Sequence, residues 1–400
     1  MNRSVYPDYY PDFRCAMGQC RLNCCRENWQ IPLTREEYET IRAAARREKG
    51  PLAEQIGAAL AREGSPEGAY AHIRHGKNGA CPLCSEEGLC RLHAACGPEA
   101  LGSVCRTFPR SHVLWGSRHR QCCSAGCQAT IALLKEREQP ITFVEGPFVA
   151  DGWAEDRGTC MVPAARLEER PLLARLEEVQ TGLAACLQQR QKPMGQRMAE
   201  LCDLLYRLEQ AEQRGDREAA LDPAGGKAAR GKMDFRGALA AVTLFTTVFH
   251  QQGSGEEQAL IRDVWQACGV AFVPAEGGAA LSLDLKTYLA ACEAREALWE
   301  REAPFLWEHL AVNQLFQDRL PFGNGQNSLW ENTLYFAACY AILRFLAAGT
   351  AHLGWQATED ALVRGLRKFG HSTELMPRTV QQLRRRGMDT PAGLDALLAL

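Results

Sequence analysis

Apolar positions in the last two thirds of the chain follow a helical spacing. Apolar residues recur at steps of three and four from Leu172 to Leu187 and again from Met194 to Leu208. That spacing gathers the apolar side chains on one face of a helix. The two runs predict an antiparallel helix pair that is joined near Lys192-Pro193.

The helical pattern resumes at Asp234 and continues to the C-terminus. Gly, Ala and Lys are frequent in residues 215–232, which predicts an exposed loop before this second series. A break is expected at Leu320-Pro321-Phe322-Gly323. The predicted helices span residues 235–250, 256–268, 284–318, 328–348, 356–369 and 374–386.

The most apolar stretch, Thr333 to Ala348, predicts a buried core helix. It is shorter than the roughly 20 apolar residues that cross a bilayer, and Arg344 lies inside it. We therefore expect no membrane insertion.

The N-terminal third has little sustained periodicity. The exception is Thr34 to Gly50, where Thr34 and Glu37 form a capping-box pair and Gly50 stands where a C-terminal cap is expected. A short extended piece is expected at Ile141–Val144. The predicted fold is mostly α, with a loop-rich head in residues 1–135 and a multi-helix bundle in residues 136–400.

Composition changes this picture through its cysteines. The 400 residues include 18 cysteines, and twelve of them lie between Cys15 and Cys127. Crowded cysteines in a reducing compartment are more often metal ligands than disulfides. The N-terminus has no apolar run of signal-peptide length, so we expect a cytoplasmic protein. A net charge of −2 with 24% charged residues gives no reason to expect a nucleic-acid partner.

The head cysteines fall into three groups. They are Cys15-x4-Cys20-x3-Cys24-Cys25, then Cys81-x2-Cys84-x5-Cys90-x5-Cys96 followed by Cys105, and finally Cys122-Cys123-x3-Cys127. Thiolates from separate loops suit an iron–sulfur cluster or zinc. Structural zinc usually uses two CxxC-type pairs, and only Cys81 to Cys84 has that form, which favours iron–sulfur over zinc. The CxxxCxxC signature of radical enzymes is absent, because Glu27 stands where its third cysteine would be.

Several motifs around these cysteines resemble a known family. The motifs are Phe13-x-Cys15, Cys24-Cys25, Trp29-x-Ile31-x-Leu33, Cys81-Pro82-Leu83, Gly88-Leu89-Cys90 and Cys105-Arg106-Thr107-Phe108-Pro109-Arg110. Together they resemble the cysteine-cluster superfamily of iron- or zinc-chelating proteins, and within it the flagellin lysine-N-methylases. The stretches 307–322 and 369–372 are similar to that family's C-terminal half.

The resemblance implies a set of metal ligands. Matched position by position, the ligands would be Cys15, Cys20, Cys24, Cys25, Cys81, Cys90, Cys105 and Cys127. Cys122 and Cys123 compete with Cys127 for the last position. Cys84 and Cys96 stand at positions where the family pattern requires no cysteine. They could be spare ligands or passive substitutions.

The resemblance also implies an activity. It predicts transfer of methyl groups from S-adenosylmethionine (SAM) to lysine side chains of flagellin or another protein substrate, by an enzyme that holds a [4Fe-4S] cluster, with zinc as the alternative metal. Against this stands a non-enzymatic iron–sulfur or zinc-binding module with a partner-binding helical domain. The chain has no Gly-rich dinucleotide loop, which favours this alternative.

Two further features have both a functional and a structural interpretation. Leu101 to Lys135 contains no Asp or Glu, so Arg106 and Arg110 could hold the SAM carboxylate or simply lie on a solvated basic face. His371 is a candidate proton acceptor or a capping residue after a helix.

Overall fold

The computed structural model describes residues 3–27, 29, 31–48, 50–63, 68–76, 79–149, 159–216, 234–249, 255–275, 278–370 and 374–399. His371 and residues 217–232 of the expected exposed loop lie outside the described residues.

Helices dominate the described residues, which confirms the predicted mostly α fold. In chain order the helices are α1 (Arg35–Arg47), α2 (Pro51–Ala59), α3 (Arg91–Cys96), α4 (Ser103–Thr107), α5 (Gln128–Lys135), α6 (Ala164–Glu169), α7 (Leu176–Leu187), α8 (Met194–Gln213), α9 (Phe235–Phe249), α10 (Gly255–Ala267), α11 (Leu285–Glu302), α12 (Leu306–Gln317), α13 (Leu329–Thr350), α14 (Trp355–Gly370), α15 (Leu375–Arg385) and α16 (Pro391–Leu398).

Short strands complete the fold. They are β1 (Arg3–Pro7), β2 (Ile31–Leu33), β3 (Leu60–Ala61), β4 (Ala71–Ile73), β5 (Arg110–Trp115), β6 (Arg118–Cys123), β7 (Phe143–Pro147), β8 (Thr159–Val162), β9 (Val270–Ala275) and β10 (Gly278–Leu283). One mixed sheet has the order β7-β1-β6-β5-β8, a small sheet has the order β2-β4-β3, and β9 pairs with β10.

Helix α13 is the centre of the bundle. It contacts α8, α9, α10, α11, α14, α15 and α16. All residues from 336 to 350 are buried, as expected of a helix that is apolar on every side. By length and hydropathy alone, Leu329–Leu353 could cross a bilayer, but 94% of its most apolar window is buried among the other helices. It is therefore the buried core helix that the sequence predicts.

The predicted helices agree with the structure except around Pro304. The expected helix 284–318 is two helices, because α11 ends at Glu302 and α12 begins at Leu306. Proline lacks the N–H that would continue the helical hydrogen bonds, and its ring clashes with the preceding turn. The predicted break at residues 320–323 is confirmed between α12 and α13.

The first helix begins where the sequence predicts, but it ends before the predicted residue. Thr34 Oγ1 accepts a hydrogen bond from Glu37 N at 3.2 Å, and a Glu37 carboxylate oxygen accepts one from Thr34 N at 2.8 Å. The assignment of Gly50 as the C-terminal cap was wrong, because α1 ends at Arg47 with Glu48 as its cap. Gly50 has φ +83° and instead precedes Pro51 at the start of α2.

The head has its own small apolar core. Ile31, Leu33, Ile41, Ile56 and Ile73 pack together with residues of the second cysteine group. Residues 6–22 and 115–134 contribute their buried side chains to the larger core of the helical bundle. The domain boundary at 135/136 stays a prediction, and the first and third cysteine groups border the bundle.

Close packing of α13 depends on a glycine. A Cβ at Gly349 would lie 2.7 Å from Val264 Cγ1 and 2.8 Å from Val264 Cα of α10. We expect Gly349→Ala to lower the free energy of unfolding by about 1–3 kcal/mol through overpacking. Urea unfolding of the whole chain measures the change.

The matched control is Gly370→Ala at the end of α14, where an added Cβ meets nothing within 4 Å. Its effect should stay within about 0.5 kcal/mol. Equal effects of the two substitutions would contradict the close contact between α10 and α13.

Candidate functional site

The first two cysteine loops are held together by hydrogen bonds of the Asn23 side chain and by contacts between their backbones. Asn23 accepts a hydrogen bond from Cys25 N at 2.8 Å and donates one to the carbonyl of Gly88 at 2.7 Å. Cys81 N donates to the carbonyl of Cys25 at 2.8 Å. A Cβ at Gly18 would lie 2.2 Å from the carbonyl oxygen of Glu87, so the loops meet where only glycine fits. The local sequence thus fixes residues 15–25 against residues 81–90.

A cavity of about 370 Å³ lies between these loops. Six of the eight predicted ligands line it: Cys15, Cys24, Cys25, Cys81, Cys90 and Cys105. Much of the remaining wall is apolar, including Trp29 and Phe108, whose rings make an edge-on contact with centroids 4.8 Å apart. The cavity is therefore rich in sulfur and poor in groups that would hold water.

The other two predicted ligands border the same region. The thiols of Cys15 and Cys127 lie near enough to Cys20 that their negative charges would raise its pKa. Cys127 is the residue immediately before α5, which brings the third cysteine group to the first. All eight predicted ligands therefore belong to one thiol-rich region, which we call the cysteine centre.

Burial raises the pKa of six of the eight thiols in the cysteine centre, namely those of Cys20, Cys25, Cys81, Cys90, Cys105 and Cys127. Burial and neighbouring thiols raise the pKa of Cys20 and of Cys81 to about 11 and that of Cys105 to about 12. A cation that binds thiolates reverses this preference, because it stabilises the charged form. The donor set thus fits a thiophilic metal or an iron–sulfur cluster, since both are bound by thiolates.

Cys24 and Cys25 are the adjacent pair in this region. A hydrogen bond from the Cys25 thiol and the charge of Arg367 lower the pKa of Cys24 to about 7, and the pKa of Cys25 rises in turn. Cys24 is thus a thiol that ionises readily. The described Cys, His, Asp and Glu side chains contain no group of three or more that could hold a metal ion. The cysteines are neighbours rather than a closed ligand set.

The remaining head cysteines were not among the eight predicted ligands, and one of them, Cys84, lies beside Cys81 and Cys90. Cys96 contacts Glu48, with Sγ and Oε1 3.7 Å apart, and Cys84 forms an isolated β-bridge with Cys90. Cys122 packs in the interior with its Sγ 3.0 Å from Ser111 Oγ. Cys123 is fully buried in the main core. Of the three competitors in the third group, Cys127 is the one whose thiol influences Cys20.

The two arginines predicted for the SAM carboxylate have protein partners. Arg106 forms an ion pair with Glu99 at 3.0 Å. Arg110 donates to the carbonyl of Phe13 at 3.0 Å and lies over the rings of Phe13 and Tyr10. These contacts give both residues a structural role in the head. Their part in SAM binding stays a prediction.

Sequence reasoning missed Arg367, a buried residue of α14. Its Nε donates to the carbonyl of Gly126 at 2.8 Å, and one Nη donates to the carbonyl of Leu22 at 2.7 Å. The other Nη lies 2.6 Å from a carboxylate oxygen of Glu27. Arg367 therefore joins the first and third cysteine groups to the helical bundle. The helical pattern of α14 could not reveal it, because a charged residue near a helix end usually faces solvent.

A second polar cluster reinforces this junction. Arg21 forms ion pairs with Glu359 and Asp360 of α14. Gln128 accepts a hydrogen bond from Arg21 N at 3.0 Å and donates to Glu359 at 3.2 Å. One helix of the bundle thus orients loops from both sides of the cysteine centre.

The fold and this site define a helical protein with a thiol-rich head that is docked on its bundle. A family model described as the FliB lysine N-methylase C-terminal domain matches residues 183–397, which is more than half of the chain. The chain belongs to this family, and the resemblance found in the sequence is confirmed. The matched region runs from α7 to α16.

Curated relatives come from Salmonella. A lysine-N-methylase of Salmonella choleraesuis and one of Salmonella typhimurium are each 27% identical over 121 residues, or 30% of this chain and 29% of the relative. The flagellar biosynthetic protein FliU of Salmonella muenchen is 26% identical over 121 residues, 70% of its length. The match thus spans under a third of either methylase. No solved structure matches the chain.

The docking of the head on α14 can be tested at Arg367. We expect Arg367→Met to lower the free energy of unfolding by about 3 kcal/mol, because it leaves Glu27 and two buried carbonyls without their cationic donor. Hydrogen exchange should also quicken in residues 20–27 and 122–128. Urea unfolding and exchange mass spectrometry measure the two effects.

The control is Arg364→Met on the same helix, since Arg364 pairs with Glu256, whose side chain is 81% exposed. Its cost should stay below about 1 kcal/mol, as is usual for surface ion pairs. If Arg367→Met leaves exchange in the cysteine loops as slow as in the control, the proposed junction is wrong.

Proposed function

We propose that this protein transfers methyl groups from SAM to lysine side chains of flagellin, and that its cysteine centre holds a [4Fe-4S] cluster. Membership of the FliB lysine N-methylase family is the observation that carries the proposal. The flagellar name of one relative supports flagellin as the substrate. The reaction would take place in the cytoplasm, where thiols stay reduced.

The reaction requires a neutral amine. A free lysine has a pKa near 10.4, so deprotonation at pH 7 costs about 4.6 kcal/mol. The amine lone pair then forms the new N–C bond while the S–C bond of SAM breaks. The sulfonium becomes a neutral thioether, and the methylated amine takes up the positive charge or loses a proton to a base. Desolvation of the target lysine would lower the cost.

The cysteine centre fits a cluster better than a single zinc ion. A [4Fe-4S] cluster and a tetrahedral zinc site each use four thiolates, so the preference for a cluster rests on the single CxxC pair and on the apolar wall rather than on the number of thiols. The apolar wall of its cavity would shield a cluster from water. When bound, the cluster would supply redox-active iron and a covalent link between loops. The chain's own residues hold the loops, since Asn23 and Arg367 position them without the metal.

The second candidate is a non-enzymatic metal-binding module with a partner-binding helical domain. The sheet favours it, because β7-β1-β6-β5-β8 pairs both parallel and antiparallel strands and so differs from a doubly wound nucleotide-binding sheet. Such a module would hold the metal without changing the mass of flagellin.

Methyl transfer is tested by mass spectrometry of flagellin. We expect anaerobically purified protein, incubated with SAM and the flagellin of its own organism, to add increments of 14 daltons on lysine residues, the mass of one methylene. Flagellin incubated without SAM is the control. If flagellin gains no mass while the protein retains its metal, the non-enzymatic module is favoured.

The metal is tested by separate substitutions of Cys81 and Cys90, which both line the cavity. Cys81→Ser and Cys90→Ser should each lower bound iron several-fold and reduce absorbance near 400 nm, because serine is a poor ligand for iron–sulfur clusters. Cys96→Ser is the matched control, since Cys96 contacts Glu48 rather than the cysteine centre. Iron content equal to wild type in all three variants would exclude the proposed site, and zinc in place of iron would favour the alternative metal.

A further inference from the structure

A second cavity lies in the helical bundle, away from the cysteine loops in sequence. This cleft has a volume of about 950 Å³ and is lined by residues of α8, α11, α13 and α16 together with Trp307 of α12. Its size lies at the upper end of small-molecule sites, which run from about 300 to 1,000 Å³. The cleft could therefore hold a ligand as large as a nucleoside joined to an amino acid.

One wall of the cleft carries two buried arginines. Arg295 on α11 is 1% exposed and Arg344 on α13 is 5% exposed. Both guanidinium groups pair with the same oxygen of Glu296, at 2.6 Å and 2.5 Å. Two positive charges thus share one carboxylate. Because an uncompensated buried charge is costly, this wall favours an additional anion.

Trp307 adds an aromatic surface beside the arginines. Its indole stacks on Trp299 with ring centroids 4.3 Å apart and planes 9° apart. Among the described residues, Trp307 Nε1 and Arg344 Nε are buried without a hydrogen-bond partner. Trp307 therefore places an indole beside the guanidinium group of Arg344, whose Cζ lies 5.8 Å from the ring centroid.

The mouth of the cleft is acidic. Glu293 is exposed there, and Asp395 of α16 is half-buried on the facing side. The nearby cations Lys192 and Arg197 are already paired, with Glu200 at 2.7 Å and Glu308 at 2.9 Å. The cleft therefore offers a cationic wall for a carboxylate and separate carboxylates for an ammonium group.

We propose that this cleft binds a zwitterionic amino acid joined to a nucleoside, with its carboxylate on Arg295 and Arg344 and its ammonium group at Glu293 and Asp395. The identity of that ligand rests on the proposed function, under which it is SAM. Trp307 then faces the remainder of the ligand. This assignment puts the methyl donor in the family-matched helical region rather than on Arg106 and Arg110.

Calorimetric titration with S-adenosylhomocysteine, the demethylated product of SAM, tests the cleft without measuring catalysis. Wild-type protein should bind it saturably. Arg344→Lys should weaken binding about tenfold or more, because lysine keeps the charge but loses the bidentate geometry. Glu293→Gln with Asp395→Asn, at the mouth, should weaken it several-fold without disturbing the core. Arg301→Ala on the same helix α11 is the control and should bind like wild type.

The outcomes separate the cleft from the proposed function. Binding that is absent in wild type, or unchanged in both the Arg344 variant and the mouth variant, overturns the cleft assignment. Methyl transfer to flagellin is scored separately on the same samples. If methyl transfer persists while cleft variants bind normally, the function stands and the ligand site is elsewhere. Cleft-dependent binding without methyl transfer supports the cleft and excludes the proposed reaction.

Discussion

Arg367 is the residue on which the arrangement of the head depends. The cysteine loops themselves contain little regular structure and have few ways to keep their positions, since the apolar core of the head is small. The Arg367 guanidinium ties the backbone at Leu22 and Gly126 and the carboxylate of Glu27 to one helix of the bundle. Burial of this cation is tolerable because all three groups accept hydrogen bonds or charge. The bundle therefore helps to hold the cysteine centre in place, although it contributes no cysteine to it.

This dependence explains how the two parts of the chain cooperate. Helix α13 provides a rigid centre, α14 packs on it, and α14 carries both Arg367 and the acidic pair that holds Arg21. Helix α13 also carries Arg344, which lines the cleft. A single pair of packed helices thus supports the cysteine centre and the cleft. Under the proposed function, one would hold the metal and the other the methyl donor.

Much of the helical structure could be predicted, because the interactions that specify a helix join residues close in sequence. Periodic apolar residues and the capping pair Thr34 and Glu37 act within one turn or one face, and the structure agrees with them. The prediction of a single helix over residues 284–318 was wrong at Pro304. The apolar pattern continues through this position, but a proline interrupts the helical hydrogen bonds. The strands β5 and β6 were missed because their burial does not alternate strictly, with neighbouring residues of β6 buried together.

The site was less accessible to sequence reasoning. The spacing and the family resemblance predict that the cysteine groups converge. Six of the eight predicted cysteines line one cavity, and their role as metal ligands stays a prediction. Arg367, Arg295 and Arg344 could not be identified, because their role arises from contacts between residues tens to hundreds of positions apart. Arg106 and Arg110 looked available in sequence, since residues 101–135 contain no Asp or Glu. The fold supplies their partners from Glu99 and Phe13.

X-ray absorption spectroscopy of the whole, anaerobically purified protein tests the central claim most directly. If thiols from three loops meet at one cluster, the iron edge will show a first shell of sulfur alone and a second shell of iron neighbours. A first shell of nitrogen or oxygen, or the absence of any bound metal, would contradict the convergence of these cysteines on a single inorganic centre.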